Sequence, residues 1–233
     1  MDGSWYSWTM IDFLHHGEPP FTVILCHGFG ADMHDLIPIT DSMQMTGPLR
    51  WVFPQAPVPL PGYPSGRAWF PRTAPELEAF ASGASFHDLS QTDPPGLRDS
   101  AEEVHELLEH LAVDHSRCIL GGFSQGAMVA VETALTAGGR FAGIAILSGS
   151  LIAADRWTRL AHGLRGTPVF QSHGRGDPLL PYSQARRLYE VLTGAGAEVA
   201  FTAFDGGHGI PAPAMTGLAA FIRERSFLPP STA

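Results

Sequence analysis

The stretch that most limits how this chain can fold is Gly122-Phe123-Ser124-Gln125-Gly126. It follows an apolar run that starts at Cys118 and precedes a segment, residues 127–137, without Gly or Pro. That change of pattern marks a strand turning directly into a helix. A serine on such a turn takes a strained backbone conformation that pushes its Oγ into the open. Gly122 and Gly126 permit a strand–helix approach that a β-carbon would block. Ala127 and Ala130 keep the helix slim where it leans on the sheet. The helix N-terminus aims free N–H groups at the place where an oxyanion would form.

The rest of the chain reads as the surroundings such a turn needs. Short apolar runs at Phe21–Cys26 and at residues 51–53, 141–147, 167–172 and 198–204 have the character of strands, several of them buried on both faces. Residues 5–13 are aromatic-rich and suit an edge strand. Between the strands, Val104, Leu107, Leu108 and Leu111 fall at helical spacing. Residues 182–192 and 215–225 read as further helices. Strands alternating with helices predict an α/β fold with a mostly parallel sheet flanked by helices, and ligands at the strands' carboxyl ends. No repeat or linker divides the 233 residues, so residues 1–233 are expected to form a single domain. Residues 57–96 are dense in Pro and Gly and hold no steady period. Such an excursion in a compact domain is usually functional or disordered. Its aromatics, Trp69 and Phe70 among them, favour an ordered cover over an active site.

The formal net charge of −9 argues against a nucleic-acid-binding surface and gives no attraction to anionic lipid. The first residues show no basic start and no apolar core, so no signal peptide is expected. No run approaches the ~18 apolar residues of a membrane span, and stable membrane insertion is not expected. Cys26 and Cys118 are the two cysteines, both within apolar runs, and should be free thiols. The cytoplasm is the expected compartment. Whether the chain forms a homodimer is left open by the sequence.

A nucleophilic serine needs a base to take its proton and an acid to hold that base in the right tautomer. Where a Gly-x-Ser-x-Gly turn presents the nucleophile, the known pattern in chain order is serine, then acid, then histidine. His173 and His208 both follow predicted strands, but only His208 lies after the last one, in a glycine-rich loop. Asp177 follows the penultimate strand. Ser124, Asp177 and His208 therefore come from strand-end loops in the required order. Asp205 is too close in sequence to His208 to reach its Nδ1 while the ring faces Ser124. The oxyanion donors should be the N–H of Gln125 and one from the loop after Cys26, with Phe29 as candidate.

Several stretches together carry a resemblance: His27-Gly-Phe-Gly-Ala-Asp32 with Asp35, Phe53-Pro-Gln-Ala-Pro57, Arg67-Ala-Trp-Phe70, Gly122-Phe-Ser-Gln-Gly126, Leu147-Ser-Gly149, His173-Gly-x-x-Asp177 with Pro181, and Gly207-His208 with Ile210-Pro211. The chain resembles the phospholipase/carboxylesterase family of the α/β-hydrolase superfamily, which includes the acyl-protein thioesterases. The resemblance implies an α/β-hydrolase fold and a serine esterase without cofactor or metal, acting on a small-molecule ester. It carries the triad onto Ser124, Asp177 and His208, the oxyanion donors onto Phe29 and Gln125, and the acyl-site wall onto Trp69 and Phe70. Two departures bear on substrate preference: Gly209 where many relatives have Glu, and Pro71 where many have Asp.

Other readings weigh less. His105 and His110 stand about 140° apart on a helix, so they cannot share a metal as an i,i+4 pair does. His27 is expected to shape the oxyanion loop through a hydrogen bond. Asp32 and Asp35 suit loop and cap positions. The function expected is a serine carboxylesterase for short- to medium-chain esters, working through an acyl-enzyme. The alternatives are an acyl-protein thioesterase or lysophospholipase and, outside enzymes, a ligand-binding receptor on a hydrolase fold.

Overall fold

The computed structural model of the protein describes residues 10–43, 45, 48–74, 78 and 88–226. Its centre is a sheet of seven strands among the described residues: β1 (Phe13–His16), β2 (Phe21–Cys26), β3 (Leu49–Pro54), β6 (Cys118–Phe123), β7 (Gly143–Leu147), β8 (Pro168–Gly174) and β9 (Glu198–Phe204). A separate short hairpin pairs β4 (Val58–Pro59) with β5 (Arg67–Ala68). The spatial order is β1-β3-β2-β6-β7-β8-β9, with β1 antiparallel to β3 and every other neighbouring pair parallel. The edge strand expected over residues 5–13 lies outside the described residues up to residue 9; the observed edge strand begins at Phe13.

The helices are α1 (Pro38–Met43), α2 (Leu97–His110), α3 (Gln125–Thr136), α4 (Ala154–Leu160), α5 (Tyr182–Gly194) and α6 (Ala212–Ser226). Side chains alternate across the pleat and divide the core into two layers. Ile24, Cys26, Val52 and Leu120 pack toward α2 and α3, with Leu107, Leu108, Met128 and Val131. Val23, Leu25, Trp51 and Ile119 pack on the other face with Leu218 and Ile222 of α6. That is why β2 reads as a continuous apolar run: all six of its residues are buried. Of the positions predicted in α2, Val104, Leu107 and Leu108 are buried, together with Leu97 and Ala101, whereas Leu111 caps the helix and is half-buried.

The parallel registers fix the site. Cys26 pairs with Gly122, and Phe123 with Leu147, so the loops after β2, β6 and β7 leave the sheet side by side. β8 and β9 follow on the same side, and their loops carry Asp177 and His208. The glycines at the β6–α3 turn are required by contact. A β-carbon on Gly126 would sit 2.2 Å from the Cys26 carbonyl oxygen, and one on Gly122 would sit 2.6 Å from the same atom. No side chain fits either place.

The same register separates the two cysteines. Thr22 is the residue opposite Cys118, so Cys26 lies four positions further along the neighbouring strand. At ~3.3 Å per residue that offset exceeds the Cα separation of under ~7 Å that a disulfide allows. Both thiols are free and buried, and burial pushes each well above the usual thiol range. Thiol titration of the protein unfolded without reductant is expected to find two reactive groups; finding none would contradict this placement.

Candidate active site

Ser124 stands between β6 and α3 with φ 55° and ψ −118°, a left-handed conformation for a residue with a β-carbon. Such a conformation costs on the order of 1–3 kcal/mol and persists where the surroundings over-determine it. Here the Ser124 N–H donates to the Leu147 carbonyl at 2.9 Å, while its own carbonyl accepts from Ala127 at 3.1 Å to begin α3. The hydroxyl opens onto a cleft of about 390 Å³ whose walls include Gly28, Phe29, Phe123, Leu179 and His208, with Asp35 and Arg72 also contributing.

Asp177 follows β8 and has a fully buried carboxylate. Its Oδ1 accepts from the N–H groups of Leu179 and Leu180, each at 2.9 Å. Its Oδ2 lies 2.7 Å from Nδ1 of His208 and 3.2 Å from Nε2 of His173. Burial alone would raise its pKa. The hydrogen bonds from His173 and His208, the charge of His208 when protonated and the Leu180 N–H override burial and hold the carboxyl well below the usual range. The acid is thus kept ionised. The His208 ring is set by this bond at one edge and by the Phe123 ring, centroids 4.8 Å apart, on one face.

His173 is wholly buried and is held in one tautomer. Its Nε2 lies 2.8 Å from the Leu180 carbonyl, an acceptor, so this nitrogen carries the proton. Asp205, the rival acid, points into solvent with its side chain 98% exposed and pairs with Arg175 at 3.6 Å. The structure thus brings Ser124 and His208 to one cleft, with Asp177 behind His208, and leaves Asp205 outside.

The loop after β2 runs along the top of the Ser124 turn. Nε2 of His27 accepts from Ala56 N–H at 3.1 Å, so Nδ1 bears the proton and donates to Gly28 O at 2.8 Å. Burial, the largest influence, lowers the pKa of His27 and keeps the ring neutral. Its place is in the loop's scaffold. Asp32 accepts from His34 N–H at 2.9 Å, a loop-capping bond, whereas Asp35 reaches the cleft. Phe29 lies on the cleft wall, and Gln125 is the first residue of α3, where backbone N–H groups have no partner within the helix.

Trp69 and Phe70 differ from expectation. Both are 0% exposed and neither lines the cleft. The Trp69 Nε1–H donates to the His27 carbonyl at 2.8 Å, so the indole is spent on supporting the loop after β2 from behind. Among the described residues, the large apolar side chains on the cleft wall are instead Phe29, Phe123 and Leu179. The sequence reading also missed the Gln125 side chain, whose amide bonds the backbone of both Trp69 and Phe70. A glutamine inside an otherwise small and apolar turn was the available signal, since a buried amide demands partners.

A mostly parallel sheet with its turn serine, ionised acid and acid-bonded histidine gathered at the strands' carboxyl ends defines an α/β-hydrolase of the serine hydrolase class. A model of the phospholipase/carboxylesterase family matches residues 16–226, and the chain belongs to that family. Acyl-protein thioesterase 1 of Neurospora crassa is 27% identical over 215 residues, 88% of this chain and 86% of that protein. Among solved structures, esterase PE8 is similar with a TM-score of 0.77 at 24% identity, covering 93% of this chain and 99% of that one. Acyl-protein thioesterase 2 of Zea mays is similar with a TM-score of 0.70 at 21% identity, covering 92% and 99%. At these identities the structures speak for the fold alone.

Proposed function

We propose that the chain is a serine carboxylesterase that hydrolyses short- to medium-chain carboxylic esters through an acyl-enzyme on Ser124. The observation that carries the reading is the 2.7 Å contact between His208 Nδ1 and the ionised Asp177, made beside the cleft onto which Ser124 opens. With Nδ1–H held by the acid, Nε2 of His208 is left as the basic nitrogen. It takes the Ser124 proton as Oγ attacks the acyl carbon. The N–H groups of Phe29 and Gln125 hold the oxyanion, and protonated His208 returns the proton to the departing alcohol. Water, deprotonated by the same nitrogen, then releases the acid. Residues 57–96 act as the cover of this site. Their described part supports that role, since Arg72 lines the cleft and Arg67 pairs with Gly30 and Ala31 of the loop after β2. Residues 75–77 and 79–87 of this stretch lie outside the described residues.

Chain length follows from cleft size. A cavity of about 390 Å³ is near the lower end of the ~300–1,000 Å³ typical of ligand sites. Each methylene buried against Phe29, Phe123 and Leu179 should add about 0.8 kcal/mol until the wall ends. With p-nitrophenyl esters, kcat/KM should rise about fourfold per methylene from acetate toward butyrate–octanoate and then fall. Leu179→Ala should flatten that rise while sparing acetate turnover. Best activity on hexadecanoyl esters or thioesters would replace this reading by the thioesterase one, which the name of the Neurospora crassa relative favours.

A fluorophosphonate probe separates an esterase from a receptor on the same fold. Rapid labelling, lost in Ser124→Ala, is the expected result. A protein that labels at the rate of its own Ser124→Ala variant would be a binder. The cytoplasm is the proposed compartment, supported by two free thiols. Among the described residues, no helix is long and apolar enough to cross a membrane.

A further inference from the structure

We infer that the Gln125 side-chain amide is a positioning residue that fixes the two oxyanion donors relative to one another, through the segment Arg67–Phe70. The inference rests on the esterase reading. The amide is 0% exposed and both its ends are engaged. Its Oε1 accepts from Trp69 N–H at 2.9 Å and its Nε2 donates to the Phe70 carbonyl at 2.8 Å. A side chain is thereby standing in for a strand partner, with one bond to each end of a two-residue backbone unit.

The far side of the same segment is tied to the loop that carries Phe29. Gly30 N–H donates to Arg67 O at 2.8 Å, Arg67 N–H donates to Ala31 O at 2.9 Å, and Trp69 Nε1–H donates to His27 O at 2.8 Å. The Ser100 hydroxyl donates to Trp69 O and anchors the segment on α2. Five hydrogen bonds therefore run from the residue after Ser124, through residues 67–70, to the residues flanking Phe29. Gln125 supplies one oxyanion N–H from its backbone and reaches the neighbourhood of the other through its side chain. Transition-state stabilisation by such donors depends on their being fixed before charge develops, because donors already in place need no reorganisation during the reaction. Loosening this link should cost oxyanion stabilisation and leave ground-state substrate binding, made by the cleft walls, unchanged.

The test compares Gln125→Met, which keeps side-chain length and the backbone N–H but loses both amide bonds, with Trp69→Phe, which keeps the backbone bonds to Gln125 and loses the bond to His27 together with part of the indole's buried volume. Active sites are counted with a fluorophosphonate, so that kcat refers to folded, competent molecules. Gln125→Met is expected to lower kcat for p-nitrophenyl butyrate by about 10- to 100-fold, less than the ~10²–10³ of deleting an oxyanion donor outright. Its affinity for a butyl trifluoromethyl ketone, which forms the tetrahedral adduct, should fall by the same factor, with KM changed less than about twofold. Trp69→Phe should show the same pairing at about 5- to 10-fold. The double variant should lose less than the product of the two, since both act on one link.

Loss of thermal stability with kcat per active site and ketone affinity both within about twofold of the parent would reduce Gln125 to a structural residue and overturn the inference. If Gln125→Met does not fold, Trp69→Phe decides alone by the same two ratios. Failure of the esterase reading looks different: the parent itself would neither turn over the ester nor bind the ketone.

Discussion

Replacing Ser124 by alanine is expected to abolish ester hydrolysis, with kcat falling by roughly 10⁴–10⁶, while the protein remains folded. The size of the loss reflects the division of labour proposed for the cleft. Without Oγ there is no acyl-enzyme, and the oxyanion donors and cleft walls alone retain only a small part of the rate enhancement. Folding is spared because the hydroxyl opens onto the cleft and makes no core contact, and the backbone bond to Leu147 persists. Turnover within about tenfold of the parent would remove Ser124 from the mechanism. Ser124→Gly adds a second expectation. At φ 55° glycine carries no β-carbon penalty, so this equally inactive variant should be more stable than Ser124→Ala by about 1 kcal/mol. Chemical denaturation of the two would measure the strain held at the turn.

Asp177→Asn should cost about 10⁴ in kcat, and Asp205→Asn less than about threefold. The amide at position 177 can still meet His208, but it then presents N–H to Nδ1 and stabilises the tautomer whose Nε2 bears the proton, which is useless as a base. It also loses the ionised oxygen shared by His173 and His208. Asp205 is solvent-exposed and touches only Arg175 at the surface among the ion pairs of the described residues. Its amide should leave the cleft undisturbed. The reverse ranking, read from kcat of the two variants with p-nitrophenyl butyrate, would sink the assignment of the acid.

Much of this arrangement is legible in the sequence because it rests on short-range requirements. The run Phe21–Cys26 is too short for a helix and is closed by a glycine-rich loop, so it reads as a strand covered on both faces, and all six of its residues are buried. Glycines flanking Ser124 signal a close approach, and the contacts with Cys26 O supply it. Ser124, Asp177 and His208 can be picked out because each follows its own strand, in the order known for a Gly-x-Ser-x-Gly turn. What the sequence does not show is which way a side chain turns when its partners are distant in the chain. Trp69 and Phe70 look like a pocket wall because large aromatics in an irregular segment commonly are one. The indole faces inward here because His27 O, 42 residues away, accepts from its Nε1–H, while the Gln125 amide, 56 residues away, accepts from the Trp69 backbone N–H. Among the described residues, the large apolar walls then fall to Phe29, Phe123 and Leu179, of which Leu179 carries no signal beyond its closeness to Asp177.

The contact between Gly126 and the Cys26 carbonyl has an evolutionary reading. With any β-carbon on Gly126 only 2.2 Å from the Cys26 oxygen, a substitution at this seam is expected to push the Ser124 turn and the loop after β2 apart and, on the esterase reading, to lose the reaction. Drift and selection therefore cannot explore new substrates by adjusting the spacing of the reacting groups. The paths left open on the esterase reading run through the cleft lining, where Asp35, Arg72 and Leu179 stand. A lineage built on this seam should diversify in what it accepts long before it changes how it cuts.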